Sequence, residues 1–158
     1  LIGCETSGTV RNAFIDNGHD AWSCDILPAD DQTNRHIQDD IRNVLKMEAW
    51  DLLMVAHPPC TRLCNSGVRW LHKAPPGKTV QEMWEELDEG AALFSDLWNA
   101  DIPRIAIENP IMHKHAKARI ENFETFAQSV QPYEFADSVE AEDNVSKRTR
   151  LWLKNFPP

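Results

Sequence analysis

Three observations predict an α/β fold built on a mostly parallel sheet with helices on both faces. Short apolar runs alternate with segments of helical period. Two of the runs, 51–57 and 104–108, are apolar nearly throughout, as strands buried on both faces are. The residues able to do chemistry (Glu5, Asp25, His57 to Cys60, Glu108 and Asn109) fall at the carboxyl ends of the runs, where open α/β sheets bind their ligands.

Leu1 to Glu5 is the first predicted strand, followed by a Thr6-Ser7-Gly8 turn. Val10, Ala13 and Phe14 stand at i, i+3 and i+4, which predicts one apolar helix face, and Gly18 is a natural stop. Ala21 to Ile26 reads as the second strand, and the polar, proline-bearing stretch Leu27 to His36 as a loop. Ile41, Val44 and Leu45 suggest a short helix. Asp51 to His57 is the next strand, closed by Pro58-Pro59. Leu71 to Lys78 carries two prolines and a glycine and reads as a mobile loop. Thr79 and Glu82 fit a capping box, opening a helical stripe of Val80, Met83, Trp84, Leu87, Ala91, Phe94, Leu97 and Trp98. Arg104 to Glu108 is a further strand. Ile120, Phe123, Ala127 and Val130 suggest another helix. Tyr133 to Ala136 and Thr149 to Leu153 suggest two closing strands, with a polar loop over Glu140 to Asn144 between them.

A chain of 158 residues suits one domain, here residues 1–158, and its 42% hydrophobic and 26% charged content describes a globular rather than a disordered chain. No apolar run reaches the ~18 residues of a membrane span, so no membrane partner is expected. The start has no basic region and no cleavage site. Cys4, Cys24, Cys60 and Cys64 are therefore expected as free thiols in a cytoplasmic protein. The net charge of −9 excludes a protein that grips nucleic acid by bulk electrostatics, yet leaves room for a local basic face: 113–119 and 146–150 are basic runs.

Two prolines at a strand end fix φ and carry no amide donors, so Pro58-Pro59 presents Cys60 rigidly at the sheet rim. A thiol there is either a nucleophile or a small packing residue. A nucleophile needs a nearby positive charge, for which Arg62, Arg148 and Arg150 are candidates. Glu108 ends an apolar strand. Burial there raises a carboxyl pKa, which suits proton donation at neutral pH; the bland alternative is a cap or a surface acid. Asp25 stands where nucleotide-binding folds hold ribose hydroxyls, and 4–8 where a cofactor's polar end sits, though the dinucleotide fingerprint G-x-G-x-x-G is absent. His57, Cys60, Cys64, His113 and His115 form a weak zinc alternative of poor spacing. A zinc deaminase is excluded because Pro-Cys-x-x-x-Cys is one residue too long and no H-x-E precedes it.

Taken together, the order Pro58-Pro59-Cys60, then Glu108-Asn109, then Arg148-Thr149-Arg150 resembles the signature motifs of the cytosine-carbon-5 DNA methyltransferases, in a short, phage-type form. Ser146 stands where the family's Gln would precede the arginines, and Glu5-Thr6-Ser7-Gly8 replaces the glycine-rich core of its first cofactor motif. The resemblance implies a Rossmann-like methyltransferase fold that binds S-adenosylmethionine through Cys4, Glu5, Thr6, Ser7, Gly8, Asp25, Ile26, Asp40, His57 and Pro59. It implies Cys60 as nucleophile, Glu108 as the group on ring nitrogen 3, Asn109 as an orienter, and Arg150 with Arg148 at the base. The expected partner is DNA with the target cytosine flipped from the stack. The family's target-recognition domain would follow Arg150, where this chain soon stops. A fragment, a minimal enzyme, or a protein partner or oligomer that supplies recognition are the options this raises. The competing expectations are a degenerate module that binds cofactor or partner without chemistry, and a methylase of RNA or a free nucleotide. An adenine-amino methylase is disfavoured, because a thiol stands where its motif needs an aromatic ring.

Overall fold

A computed structural model describes residues 1–136, 138 and 144–156. Seven strands form one sheet in the order β3-β2-β1-β4-β5-β7-β6. They are β1 (Ile2–Gly3), β2 (Ser23–Asp25), β3 (His36–Gln38), β4 (Leu52–Val55), β5 (Arg104–Asn109), β6 (Gln128–Val130) and β7 (Thr149–Lys154). The helices are α1 (Thr9–Asp16), α2 (Ile41–Val44), α3 (Val80–Trp98) and α4 (Lys114–Lys117). The expected mostly parallel α/β class is observed. No helix among the described residues is long and apolar enough to cross a membrane. The chain divides into two compact units.

The first unit comprises Leu1–Pro58, Asp96–Ile107 and Lys154–Pro158. Its strands are parallel: β1 pairs with β2 and with β4, β2 with β3, and β4 with β5. Because β1 lies between β2 and β4, the winding reverses there, and the carboxyl ends of β1 and β4 flank a switch point. Ile2, Leu53, Val55, Ile105 and Ile107 are buried almost completely, each contributing about 1.5–3 kcal/mol of burial. Gly3 is required by close approach, since a Cβ there would lie 2.4 Å from Ile41 Cδ1. The stretch expected as loop up to His36 ends in β3, a strand of three residues without apolar alternation; its pairing with β2 rests on backbone bonds and one Ser23–His36 side-chain bond that no apolar pattern announces.

In α1 the expected face Val10–Ala13–Phe14 is not the buried one. Ala13 is exposed, Val10 and Phe14 are half-buried, and the buried residue is Arg11. Its guanidinium donates to Ser23 Oγ at 2.8 Å and pairs with Asp31, so the buried charge is matched. Gly8, at φ 73°, is the N-cap and offers no side chain to the helix amides. Glu5, 1% exposed, does so instead: its carboxylate accepts from Val10 N at 2.6 Å and Arg11 N at 3.1 Å.

The second unit comprises Pro59–Ser95 and Glu108–Leu153. The capping box of α3 is present: Thr79 N donates to Glu82 at 2.6 Å, and Glu82 N to Thr79 Oγ1 at 3.2 Å. Its stripe is buried as expected at Met83, Leu87, Ala91, Phe94, Leu97 and Trp98, while Val80 is exposed. Residues 72–78 form no helix or strand, as expected of a loop; a 3-10 helix over Asn65–Leu71, which the sequence did not announce, precedes them, its end held by Trp84 Nε1 donating to the Leu71 carbonyl. Two expectations fail. The helix expected over Ile120–Val130 does not form: Asn122 is left-handed at φ 52°, and Gln128–Val130 join β7 as an antiparallel strand, so ladder bonds outweigh the helical period. The strand expected over Tyr133–Ala136 is a 3-10 turn, because Pro132 has no amide for a ladder and Gln131 N donates to Glu134 at 2.9 Å. The polar loop expected over Glu140–Asn144 lies, apart from Asn144, outside the described residues.

The buried cation of α1 makes a testable contribution. Replacing Arg11 with Met removes bonds to Ser23 and Asp31, and should lower stability by about 1.5–3 kcal/mol. Urea denaturation measures it, and an unchanged midpoint would refute the role.

Candidate active site

Pro59-Cys60 opens an isolated helical turn in the second unit. The Cys60 carbonyl accepts from Leu63 N at 2.9 Å and Cys64 N at 3.0 Å. This turn is tied to the segment after β5. Cys64 and Met112 form an antiparallel bridge, with Asn65 N donating to Ile111 O at 2.9 Å and His113 N to Leu63 O at 3.0 Å. His113 adds a side-chain tie, its Nε2 donating to the Arg62 carbonyl at 2.7 Å while Nδ1 accepts from Ala116 N at 3.1 Å. Gly67 closes the turn from the other side; a Cβ there would stand 1.9 Å from the Thr61 carbonyl oxygen. The chain therefore holds Cys60 and the end of β5 in one local assembly.

Cys60 is half-buried, and its thiol pKa is raised. Burial is the main cause, followed by the neighbouring Cys64 and by the charge of Glu108; Lys147 pulls the other way. The expected activation by arginines is thus corrected. Arg62 is bound to Glu86 at 2.5 Å, Arg150 lies 4.0 Å over the Phe126 ring, and Arg148 is exposed. The cation that acts on the thiol is Lys147. At rest the thiol holds its proton.

Glu108 is half-buried in β5, as its place at an apolar strand end predicts, and acts on Cys60 through space. Asn109 beside it is fully buried. Its Nδ2 donates to the Pro110 carbonyl at 2.8 Å, and its Oδ1 has no hydrogen-bond partner. An unsatisfied buried amide oxygen costs about 1–3 kcal/mol. Arg150 Nε is a second buried polar atom without a partner.

The remaining candidates lie in the first unit, save Pro59, which is exposed at the head of the Cys60 turn. Glu5 is engaged by α1, and Asp40 caps α2 through Arg42 N at 2.9 Å while also pairing with the Arg42 guanidinium, which holds its carboxyl below the usual range. Thr6 donates to Asp30 at 2.8 Å and Ser7 to Thr9 at 3.2 Å. Cys4 adopts φ 56° and has its thiol pushed by burial up to about 12. A Cβ on Gly8 would meet Arg11 Nη2 at 2.3 Å. Asp25 ends β2 with Oδ1 accepting from Leu27 N at 3.0 Å, and the following Ile26 is 70% exposed, an apolar side chain facing solvent beside a carboxylate. His57 is exposed after β4.

Both ring nitrogens of His113 are engaged by protein, which removes it from the zinc alternative, and the described residues hold no cluster of three potential metal ligands. All four cysteines are free. The sequence reading missed Arg11 and Gly67, took His113 for a possible zinc ligand rather than a tie and helix cap, and named Lys147 only as part of a basic run. Compared with known protein families, characterised proteins and solved structures, the chain matches none.

The coupling of Cys60 to Glu108 has a sign that can be checked. Glu108→Gln removes a charge that raises the thiol, so more thiolate forms at a given pH. Iodoacetamide should label Cys60 faster in E108Q near pH 8, by a few-fold rather than tenfold per pKa unit, because a less basic thiolate is also less nucleophilic, with a Brønsted coefficient of about 0.4–0.5. Peptide mapping would follow Cys60 alone, and an equal or slower rate in E108Q would refute the coupling.

Proposed function

We propose that the chain is a catalytic domain that methylates carbon 5 of cytosine in DNA. The observation that carries this reading is the like-charge coupling of Cys60 with Glu108, in a turn fixed to the end of β5. A carboxylate near the thiol opposes its ionisation, so a thiolate is favoured where the carboxyl is protonated. The pair can rest as a thiol and a carboxylate, or react as a thiolate and a carboxylic acid. The second state is the one an attack on cytosine needs.

In the proposed reaction Cys60 Sγ adds to carbon 6 of a flipped cytosine, while protonated Glu108 donates to ring nitrogen 3. Negative charge then does not build on the ring, and carbon 5 becomes nucleophilic. S-adenosylmethionine, when bound, supplies the methyl group that carbon 5 takes. A base removes the carbon-5 proton, the ring double bond returns as the thiolate leaves, and the proton on ring nitrogen 3 goes back to Glu108. Asn109 orients the acid, Arg150 lies on β7, and Arg148 immediately precedes it. The residues fit the cofactor at its adenosine end: Asp25 offers a carboxylate to ribose hydroxyls, and exposed Ile26 an apolar face to a ring. At the β1–α1 turn, Glu5 is committed to the helix amides, so that turn contributes backbone and the hydroxyls of Thr6 and Ser7.

The engagement of Glu5 and Asp40 favours a second reading, a module that binds cofactor or partner without chemistry. One experiment separates the two. Oligonucleotides carrying 5-fluorocytosine cannot lose the carbon-5 substituent as a proton, so a methyltransferase is trapped on them. The enzyme reading expects a denaturation-resistant adduct that requires S-adenosylmethionine, is absent in Cys60→Ser, and forms about 10²–10⁴-fold more slowly in Glu108→Gln. Binding of S-adenosylmethionine by calorimetry, with no adduct on single- or double-stranded DNA, would overturn it in favour of the binding module.

A further inference from the structure

We propose that an open recess in the second unit is a nucleotide subsite, taking a nucleotide of single-stranded polynucleotide that neighbours the one under attack. This rests on the reading of the chain as an enzyme of polynucleotides and adds a site to it. The recess is shallow and open, about 60 Å³ of enclosed room, and is walled by Phe123, Phe126 and Trp152, with Lys117 and Arg150 on its lining. Neither Cys60 nor Glu108 lines it. It therefore does not hold the reacting ring. It borders the reacting groups through Met112, which lines the recess and bridges to Cys64.

Charge gives the first argument for an anion. The chain carries 25 acidic against 16 basic residues, so a cation has carboxylates in excess to choose from. Arg11, Arg35, Arg42, Arg62, Lys78 and Arg119 each pair with one. Lys117 and Arg150 are two of the ten basic residues without an ion pair among the described residues, and what sets them apart is a shared recess whose lining holds no carboxylate. The Arg150 guanidinium lies 4.0 Å over the Phe126 ring, with its Nε buried and unpartnered. Two cations on one wall without a carboxylate suit a phosphate.

The aromatic wall gives the second. Trp152 is fixed by its Nε1 bond to the Glu124 carbonyl at 2.9 Å and by edge contacts with Phe94 and Phe126. Phe123 and Phe126 remain half-exposed beside it. Aromatic faces next to cations are how single-stranded nucleic acids are held without base readout, the base stacking and the phosphate meeting the charge. A carboxylate ligand would satisfy the cations but leave the rings uncovered.

The test is fluorescence anisotropy of a labelled, cytosine-containing single-stranded oligodeoxynucleotide, titrated at several salt concentrations against the intact chain. Lys117→Glu, on an exposed side chain that cannot disturb the core, should weaken binding and lower the salt slope by about one phosphate contact. Phe126→Ala should weaken binding about tenfold with the slope unchanged, and Phe126→Tyr should restore it. Wild-type affinity in both Lys117→Glu and Phe126→Ala, or no binding by the wild type, overturns the subsite. Trapping on 5-fluorocytosine is scored in parallel. Adduct formation with no effect of either variant on binding leaves the enzyme reading standing and this inference refuted. Weakened binding in the variants with no adduct from the wild type leaves the subsite standing and the enzyme reading refuted.

Discussion

The second unit depends on a short backbone clamp. The turn that begins at Cys60 and the segment that follows Glu108 are far apart in sequence, and neither is a long regular element. They meet because Cys64 and Met112 pair as an isolated bridge, with His113 reaching back to the Arg62 carbonyl. Each of these bonds contributes only about 0.5–1.5 kcal/mol on its own. Their effect is geometric: they set the thiol and the acid within electrostatic reach. Gly67 belongs to the same device, since any side chain there would push against the Thr61 carbonyl and open the turn.

That proximity shapes the resting state. A thiol raised by burial and by a neighbouring carboxylate is poorly reactive toward solvent oxidants and electrophiles, which attack the thiolate. The opposition is relieved only when Glu108 gains a proton, which in the proposed reaction it then shares with ring nitrogen 3 of the base. A thiol governed this way would differ from one activated permanently by arginine. Here Arg62 is claimed by Glu86 and Arg150 by the Phe126 ring. The thiols of Cys4 and Cys24, both pushed up to about 12, stay out of the chemistry altogether.

The sequence made the long, strongly patterned parts of the fold legible. β4, β5 and α3 carry apolar patterns that only one environment satisfies, and the capping box of α3 forms as its residues require. Cys60 and Glu108 were legible for the same reason: each ends a buried strand or its proline exit. Short elements were not. β3 has three residues, and its pairing rests on the backbone and one Ser23–His36 side-chain bond, neither of which an apolar pattern announces. The 120–130 segment has helical spacing, yet Asn122 turns left-handed and Val130 joins a ladder, because Phe123 and Phe126 face the recess by Trp152 instead of lying along one helix. The face of α1 was misread because its buried residue is an arginine, and polarity patterns count a satisfied buried cation as surface. Partner choice among charges was equally hidden: Lys147, Arg62, Arg148 and Arg150 look alike in sequence, and only the fold decides which one reaches the thiol.

The claim beneath the chemistry is that the charge of Glu108 opposes the ionisation of Cys60. It is tested most directly by carbon-13 NMR with label in cysteine Cβ and glutamate Cδ, titrated across pH in the wild type and in each single variant. Coupling predicts that the Glu108 resonance moves a second time as Cys60 ionises, and that this second step vanishes in Cys60→Ser. A single, independent titration of each group, unchanged by loss of the other, would contradict it.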